Sequence, residues 1–272
     1  MNEAELLFTH ILDCDRISLY QNKDKVLDKA KLEFISSVLR RRFLGEPIQY
    51  ILGKTEFMGL EFLVNEAVLI PRPETEILVE TALEYLKIRK DYDSINKTPK
   101  VLDLCTGSGC IAVSLAKNLT QASVDASDVS DEVLEVAKKN AAINNVAVNF
   151  IQSDLFKSNL FVSGSYDMIL SNPPYVITSQ LKSLQMEVQK EPRLALDGGI
   201  DGLYFYRRIV KDAYYFLKDN GLLIFEIGFS QKDALEDIFN SSGLFKVLRI
   251  VKDYNSIDRV IVGRKVENKW IN

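Results

Sequence analysis

Short apolar runs alternate with helical segments in the second part of the chain, and this pattern constrains the fold more than any other feature. Beyond residue 100, strands are predicted at 101–104, 123–126, 148–151, 168–170 and 222–225. Between them we predict helices at 110–118 and 131–144, the second with Ser130 as its N-cap. Repeated β-α-β units require a parallel sheet with helices on both faces. Two later runs, 245–251 and 259–262, lie too close for a helical crossover, so an antiparallel last strand is expected.

The first part of the chain has a different pattern. Apolar residues recur at helical spacing between 26 and 44 and are closed by Gly45, which predicts a small helical N-terminal domain. The segment 48–69 places aromatic residues among turn formers and is typical of a β-hairpin. Pro71-Arg72-Pro73 then precedes a helix with two glutamates in its first turn. We therefore predict a helical domain at 1–46, a hairpin linker at 47–73 and an α/β domain at 74–272.

Composition limits the class of protein. The 34 Lys and Arg residues against 38 Asp and Glu residues give a net charge of -4, which does not favour nucleic-acid binding. The three cysteines, Cys14, Cys105 and Cys110, have no metal-binding spacing and are typical of a reducing compartment. Without an apolar run of membrane length or a basic leader, we expect a cytoplasmic protein. His10 and Trp270 are interpreted as packing or surface residues.

A glycine-containing loop follows the first predicted strand of the α/β domain. Its sequence is Asp103-Leu104-Cys105-Thr106-Gly107-Ser108-Gly109, and a helix begins directly after it. Glycines allow close approach to a ligand, and the helix start presents free N–H groups, as in a cofactor cradle. The spacing to Asp128 also fits a dinucleotide fingerprint, so a dehydrogenase stays possible on these residues alone. Tight strand-to-helix packing is the alternative without a ligand.

The motif Asn172-Pro173-Pro174-Tyr175 follows the apolar run 168–170. Proline cannot donate to a sheet ladder, so the strand ends here. An amide oxygen and backbone carbonyls beside an aromatic ring can accept both hydrogens of a flat NH2 group while the ring stacks on it. The motif therefore predicts a pocket for a planar amine or amide. Simple strand termination by the two prolines is the alternative.

Considered together, the motifs resemble those of a known family. The loop 103–109 is followed in order by Asp128-Val129-Ser130, Asp154-Leu155-Phe156 and the Asn-Pro-Pro-Tyr motif, a series similar to class I S-adenosylmethionine (SAM) methyltransferases acting on nitrogen. The segments 47–53, 69–76, 191–196, 198–203 and 226–228 resemble the PrmC/HemK family, the protein-(glutamine-N5) methyltransferases of peptide chain release factors. One residue departs from the family pattern, because Cys105 occupies the place of the loop's first glycine. A positive φ there would be strained.

The resemblance implies a Rossmann-like class I methyltransferase fold and a role for each motif residue. SAM is the implied cofactor, S-adenosylhomocysteine its product, and no metal is implied. Asp128 would bind the ribose hydroxyls, and Asp154 the adenine amine with Leu155 beside the ring. Asn172 and the Pro173 carbonyl would accept the hydrogens of the substrate amide, Tyr175 would stack on it, and Pro174 would fix the loop. Asn172 would also contact the cofactor. The methionine part of SAM would be held by residues of the glycine loop, namely Asp103, Cys105, Thr106, Gly107, Ser108 and Gly109.

The resemblance also implies a partner. The substrate would be the glutamine of the Gly-Gly-Gln motif of class I release factors, whose methylation modulates translation termination. The helical domain would recognise the factor, and we expect a monomer that contacts no nucleic acid directly. Two other functions stay open at this point: methylation of a flipped adenine, which also offers an exocyclic amine, and SAM binding without catalysis.

Overall fold

The computed structural model describes residues 2–21, 24–88 and 98–267. Trp270 and the end of the predicted 74–272 domain lie outside these ranges, so their interpretation stays a prediction. Among the described helices, none combines the length and apolar character that crossing a bilayer requires. The predicted domain boundaries at 46 and 73 likewise stay predictions.

Helices form the N-terminal part of the described chain. They are α1 (Glu3–Leu12), α2 (Arg16–Gln21) and α3 (Lys29–Phe43). Asp28 caps α3 by accepting from the backbone N–H of Lys31, so this helix begins at Lys29 rather than at 26. Leu7 of α1 and Val38 of α3 form a small buried cluster with the next helix. The predicted helical N-terminus is confirmed.

The segment predicted as a hairpin is partly helical, which corrects the prediction for its first residues. Ile48–Leu52 forms the short helix α4, and the strands are confined to β1 (Lys54–Phe57) and β2 (Leu60–Leu63), which pair antiparallel. Ile48 and Ile51 join the cluster of Leu7 and Val38. Burial against α1 and α3 outweighs the strand preference of these β-branched side chains.

One mixed sheet forms the centre of the molecule. Its strands are β3 (Lys100–Leu104), β4 (Ser123–Asp128), β5 (Asn149–Gln152), β6 (Tyr166–Ser171), β7 (Leu217–Glu226), β8 (Phe245–Lys252) and β9 (Asp258–Lys265). In the described residues the order is β5-β4-β3-β6-β7-β9-β8. The pairs from β5 to β7 are parallel, and β9 pairs antiparallel with both β7 and β8. The predicted strands are confirmed, most of them slightly longer than their apolar runs, and the antiparallel last strand is confirmed.

Helices cover both faces of this sheet. The helices that follow the hairpin are α5 (Pro73–Ile88), α6 (Cys110–Asn118), α7 (Asp131–Ile143), α8 (Arg193–Leu196), α9 (Tyr204–Phe216) and α10 (Lys232–Ser242). Alternate residues of β3 enter opposite cores: Val101 packs with α5 and α6, whereas Leu102 packs with α9 and α10. Because helices bury both faces of the sheet, the central strands are continuous apolar runs.

The sheet brings the predicted site residues to one edge. From β3 the chain crosses through α6 to β4 on one side, while β6 pairs with the other side of β3. The carboxyl ends of β3 and β6 thus flank a topological switch point, where open α/β sheets bind ligands. The glycine loop leaves β3 there, and Asn172 leaves β6.

Candidate active site

A cavity of about 450 Å³ opens at this edge of the sheet. Its wall combines the ends of four strands with the segment before α5. The predicted site residues on the wall are Cys105, Thr106, Gly107, Ser108, Asp128, Asp154, Leu155, Asn172 and Pro174. The glycine turn and the Pro-Pro corner therefore face one common space.

The glycine loop adopts the conformation that its sequence predicts. Gly107 has φ +55° and Gly109 has φ +80°, and α6 begins at the next residue. A Cβ on Gly107 would meet nothing within 4 Å, whereas one on Gly109 would lie 3.0 Å from the Cβ of Ala137. Gly107 thus keeps the loop open towards a ligand, and Gly109 permits the packing of α6 against α7.

Asp128 is held by backbone N–H groups from two segments. The N–H of Gly107 donates to its Oδ2 at 3.1 Å, and that of Ser130 donates to its Oδ1 at 3.2 Å. Burial raises the pKa of Asp128, an effect that these two donors oppose. Each oxygen keeps further acceptor capacity, which suits a pair of ribose hydroxyls.

Asp103 lies behind the loop rather than on the cavity wall. The hydroxyl of Thr106 donates to its Oδ2 at 2.6 Å, but no described residue donates to the buried Oδ1. Burial raises the pKa of Asp103 to about 7. An incompletely satisfied carboxyl beneath the loop fits a cationic ligand group above it, so the residues present are compatible with the ammonium end of SAM.

Cys105 has φ +60°, the left-handed conformation that the family's glycine would adopt freely. The backbone strain that the sequence analysis associated with a positive φ at Cys105 is therefore present. Burial raises the pKa of the Cys105 thiol well above its usual range, so the thiol stays protonated. A thiolate nucleophile at this position is disfavoured.

Asp154 and Leu155 also line the cavity. Asp154 accepts hydrogen bonds from Lys157 at 2.7 Å and from Arg208 at 2.8 Å, and these cations lower its pKa. Leu155 is buried and has φ +51°. Arg208, which sequence reasoning missed, follows three aromatic residues in α9 and carries no motif signal.

The Asn-Pro-Pro-Tyr corner separates this cavity from a second one. Asn172 and Pro174 line the first, Tyr175 lines the second, and Arg72 lines both. Pro173 is buried off the wall, and within the described residues neither its carbonyl oxygen nor Oδ1 of Asn172 accepts a hydrogen bond. Neither predicted acceptor is therefore occupied by a donor among the described residues.

Two further loops hold the corner in place, one before α10 and one between α8 and α9. The side chain of Gln231 donates to the carbonyl of Tyr175 at 3.1 Å, and a Cβ on Gly198 would lie 2.6 Å from the Cα of Tyr175. The glycine at 198 therefore permits backbone contact that any other residue would prevent. Burial raises the pKa of Tyr175 far above its usual range, so its ring is a neutral surface.

Two distant motifs meet beside the corner. The guanidinium of Arg72 pairs with the buried Glu191, whose other oxygen accepts from the N–H of Ile70 at 3.1 Å. This contact joins the segment before α5 to the loop before α8. Sequence reasoning identified both motifs but gave no signal that they touch. No group of three or more His, Cys, Asp and Glu residues in the described ranges is placed to hold a metal ion.

Comparison with known proteins identifies two matching family models. The PrmC N-terminal domain matches residues 1–53, and the Methyltransferase small domain matches residues 87–206. The release factor glutamine methyltransferase of Thermodesulfovibrio yellowstonii is 40% identical over 266 residues, covering 97% of this chain and 92% of that protein. The release factor glutamine methyltransferase of Agrobacterium fabrum is 44% identical, covering 97% and 90%.

A solved structure adds support for the fold. The methyltransferase from Pyrococcus furiosus superimposes with a TM-score of 0.54 at 17% identity, covering 85% of this chain and all of that one. At this identity the match concerns the fold alone. The predicted class I methyltransferase fold is confirmed by the methyltransferase family model together with the sheet order.

Proposed function

The chain belongs to the release factor glutamine methyltransferase family, and we propose that it methylates the side-chain amide nitrogen of the Gly-Gly-Gln glutamine in class I release factors. It is an enzyme, a SAM-dependent protein-glutamine methyltransferase. The roles of individual residues below belong to the proposal, as do the Gly-Gly-Gln site, cytoplasmic location and action as a monomer without direct nucleic-acid contact.

The observation that carries the proposal is the position of the Asn-Pro-Pro-Tyr corner between two cavities. A group-transfer enzyme needs two ligands that meet at one point, each with its own access. The first cavity holds the glycine loop and Asp128, while the second is bordered by Tyr175, Arg72 and Glu74. The first suits the cofactor, and the second suits a glutamine side chain presented by a protein loop.

When bound, SAM supplies an electrophilic methyl group on its sulfonium. The backbone of Thr106 to Gly109 would hold its methionine part, and Asp128 its ribose. Asp154 and Leu155 would border its adenine. Of these residues, all but Gly109 line the first cavity, which supports the assignments.

The substrate nitrogen is a weak nucleophile because its lone pair is delocalised into the amide carbonyl. Oδ1 of Asn172 and the Pro173 carbonyl would accept its two hydrogens, and the Tyr175 ring would hold the amide plane. This arrangement turns the lone pair towards the cofactor cavity. Such positioning can contribute on the order of 7–11 kcal/mol in well-oriented systems. Both acceptors bind more strongly as the nitrogen becomes positive, so they favour the transition state.

The helical N-terminus offers a surface for the body of the substrate protein. Leu32, Leu39 and Phe43 lie on one side of α3 and are 51%, 60% and 88% exposed. Arg42 on the same helix pairs with Glu187 near the second cavity, at 2.5 Å. An exposed apolar stripe anchored next to the substrate entrance suits a protein partner, whose remote contacts would provide specificity.

The proposal is tested by incubating the protein with methyl-labelled SAM and, in separate reactions, a recombinant class I release factor or duplex DNA. We expect label only on the release factor, and mass mapping should place it on the Gly-Gly-Gln glutamine. Label on DNA alone would instead establish base methylation, and SAM binding without a labelled product would establish a binding protein.

The variant Asn172→Ala tests the site within that assay. It should lose nearly all methyl transfer and retain SAM binding, because Asn172 acts on the substrate. Normal transfer by this variant would refute the role of Asn172 without affecting the assignment of the substrate.

A further inference from the structure

A buried carboxyl lies next to the proposed substrate-binding amide and has no part in the mechanism above. Glu226 is the last residue of β7 and is only 2% exposed. Because Ser171 pairs with Phe225, the next residues on the two strands, Asn172 and Glu226, lie side by side. Glu226 forms no salt bridge with any described residue. Burying a carboxyl without an ion pair costs folding free energy, so the presence of Glu226 at this position needs an explanation.

Thr75, in the first turn of α5, connects Glu226 to Asn172. Its hydroxyl donates to Oε2 of Glu226 at 2.6 Å, and it accepts from Nδ2 of Asn172 at 3.2 Å. Thr75 is 2% exposed. The three side chains form one short chain of hydrogen bonds from the core of the sheet to the cavity wall.

The chemistry of the three groups fixes the direction of these bonds. An ionised carboxylate only accepts, so the single hydroxyl proton of Thr75 must point to Glu226. The oxygen of Thr75 then offers only lone pairs to Asn172, and Nδ2 must face it. Oδ1 of Asn172 is thereby turned away from Thr75, as an acceptor for a substrate NH2 group.

We propose that Thr75 and Glu226 are positioning residues that set the orientation of the Asn172 amide. The inference rests on the proposed function, because the orientation matters for a substrate that presents an NH2 group. With the amide turned over, Asn172 would present its own NH2 to that of the substrate, donor against donor. Methyl transfer would then lose one of its two acceptors, while the glycine loop and Asp128 on the cofactor cavity would keep their positions.

If Glu226 orients Asn172, its ionisation should make the rate of methyl transfer depend on pH, which a purely structural role would not. Burial raises the pKa of Glu226 to about 7. A protonated Glu226 can donate to Thr75, which frees the hydroxyl to donate to Asn172 and permits the amide to turn over. The groups around Glu226 are Thr75 and Glu74 on α5, Cys110 on α6, Asn172, Tyr175, Tyr206 on α9 and Arg259 on β9. Turnover should therefore fall as the pH drops through about 7.

The activity test compares Thr75→Val with Thr75→Ser in single-turnover methylation of a recombinant class I release factor at about pH 8. Serine keeps the hydroxyl and should stay within roughly threefold of wild type, whereas valine should reduce the rate about tenfold to a hundredfold. The valine variant should bind SAM normally and lose the decline in rate below pH 7. Thr81→Val, at another buried threonine of α5, is the matched control and should behave as wild type.

The orientation can be measured without turnover. In ¹⁵N-labelled protein, the side-chain NH2 protons of Asn172 should give a nuclear Overhauser effect to the Thr75 side chain at about pH 8. In Glu226→Gln this signal should weaken, because a glutamine side chain can donate to Thr75 as well as accept.

The outcomes separate the inference from the proposed function. If wild-type protein leaves the release factor unmethylated, the proposed function fails, and the Asn172 signal still decides the orientation. An absent signal in wild-type protein overturns the inference. Wild-type rates in Thr75→Val, or a loss of rate that follows a loss of SAM binding, overturn it as well.

Discussion

The backbone conformation of Cys105 leads to an unusual prediction about stability: glycine should be tolerated at this position better than alanine. Its φ of +60° brings the Cβ of an L-residue close to the following carbonyl. Replacement by alanine keeps that contact and removes the thiol. Replacement by glycine removes the contact as well, at the cost of a more flexible unfolded chain.

The magnitude follows from these opposing effects. The left-handed conformation costs an L-residue roughly 1–2 kcal/mol, which glycine avoids. Added flexibility of the unfolded chain costs glycine about 0.4–1 kcal/mol relative to alanine. The free energy of unfolding should thus be higher for Cys105→Gly than for Cys105→Ala, by up to roughly 1.6 kcal/mol. In a chain of this size the melting temperature should be higher by up to roughly 6 °C.

Urea and thermal unfolding of the ligand-free variants measure this difference. Cys110 offers a matched control, since it is the first residue of α6 and its φ is not positive. At Cys110 the order should reverse, with glycine less stable than alanine by about 0.5–1 kcal/mol. If glycine were the less stable variant at both positions, the reasoning about strain at Cys105 would be refuted. Isothermal titration with SAM would show in addition whether removing the strain raises affinity.

Three further predictions concern the cofactor, the pH and the substrate protein. Asp128→Asn should weaken SAM binding about tenfold to a hundredfold by calorimetry, since one of the two acceptor oxygens for the ribose hydroxyls becomes an NH2 donor; unchanged affinity would exclude the role. Burial raises the pKa of Asp103 from 3.8 to about 7, so between these pH values the folded state binds a proton that the unfolded chain releases. The Asp103 carboxyl therefore destabilises the fold increasingly as the pH rises from 3.8 to about 7. Asp103→Asn should therefore gain stability relative to wild type between those pH values in urea unfolding, and parallel curves would contradict it. Leu39→Glu with Phe43→Glu should raise KM for the release factor about tenfold or more but not for a short Gly-Gly-Gln peptide, with the exposed Leu160→Glu as control.

The sheet could be predicted because its signals are local. Two helical faces bury the strands, so each strand is a continuous apolar run, and the connections between them carry caps such as Ser130. The 48–52 segment could not be predicted in the same way. Ile48 and Ile51 have strand preference, but their helical form depends on burial against Leu7 and Val38, which lie in helices elsewhere in the sequence.

In the candidate site, too, some positions could be predicted from local sequence and others depend on contacts between distant segments. Asp128 ends a strand, and Asn172 and the glycine loop follow strands directly, so the positions of these residues at one edge follow from sheet topology. Contacts between distant segments, such as that of Arg72 with Glu191, could not be predicted because no local sequence pattern indicates them. Glu226 is intermediate: a single charge ending the apolar run 222–225 was visible in the sequence, but its bond to Thr75 depends on how α5 packs.

The neighbourhood of Asn172 explains why a site without a strong base suits this reaction. After methyl transfer the amide nitrogen carries a positive charge and loses its proton readily to water, so an efficient base is not required. What the reaction requires is that two acceptors keep their orientation before any charge develops. Acceptors exposed to water would reorient, whereas Asn172 is fixed through Thr75 to a buried carboxyl, and Pro173 is fixed by its ring. Burying Glu226 lowers the stability of the fold, and in the proposed mechanism it would hold the Asn172 dipole where positive charge develops on the substrate nitrogen.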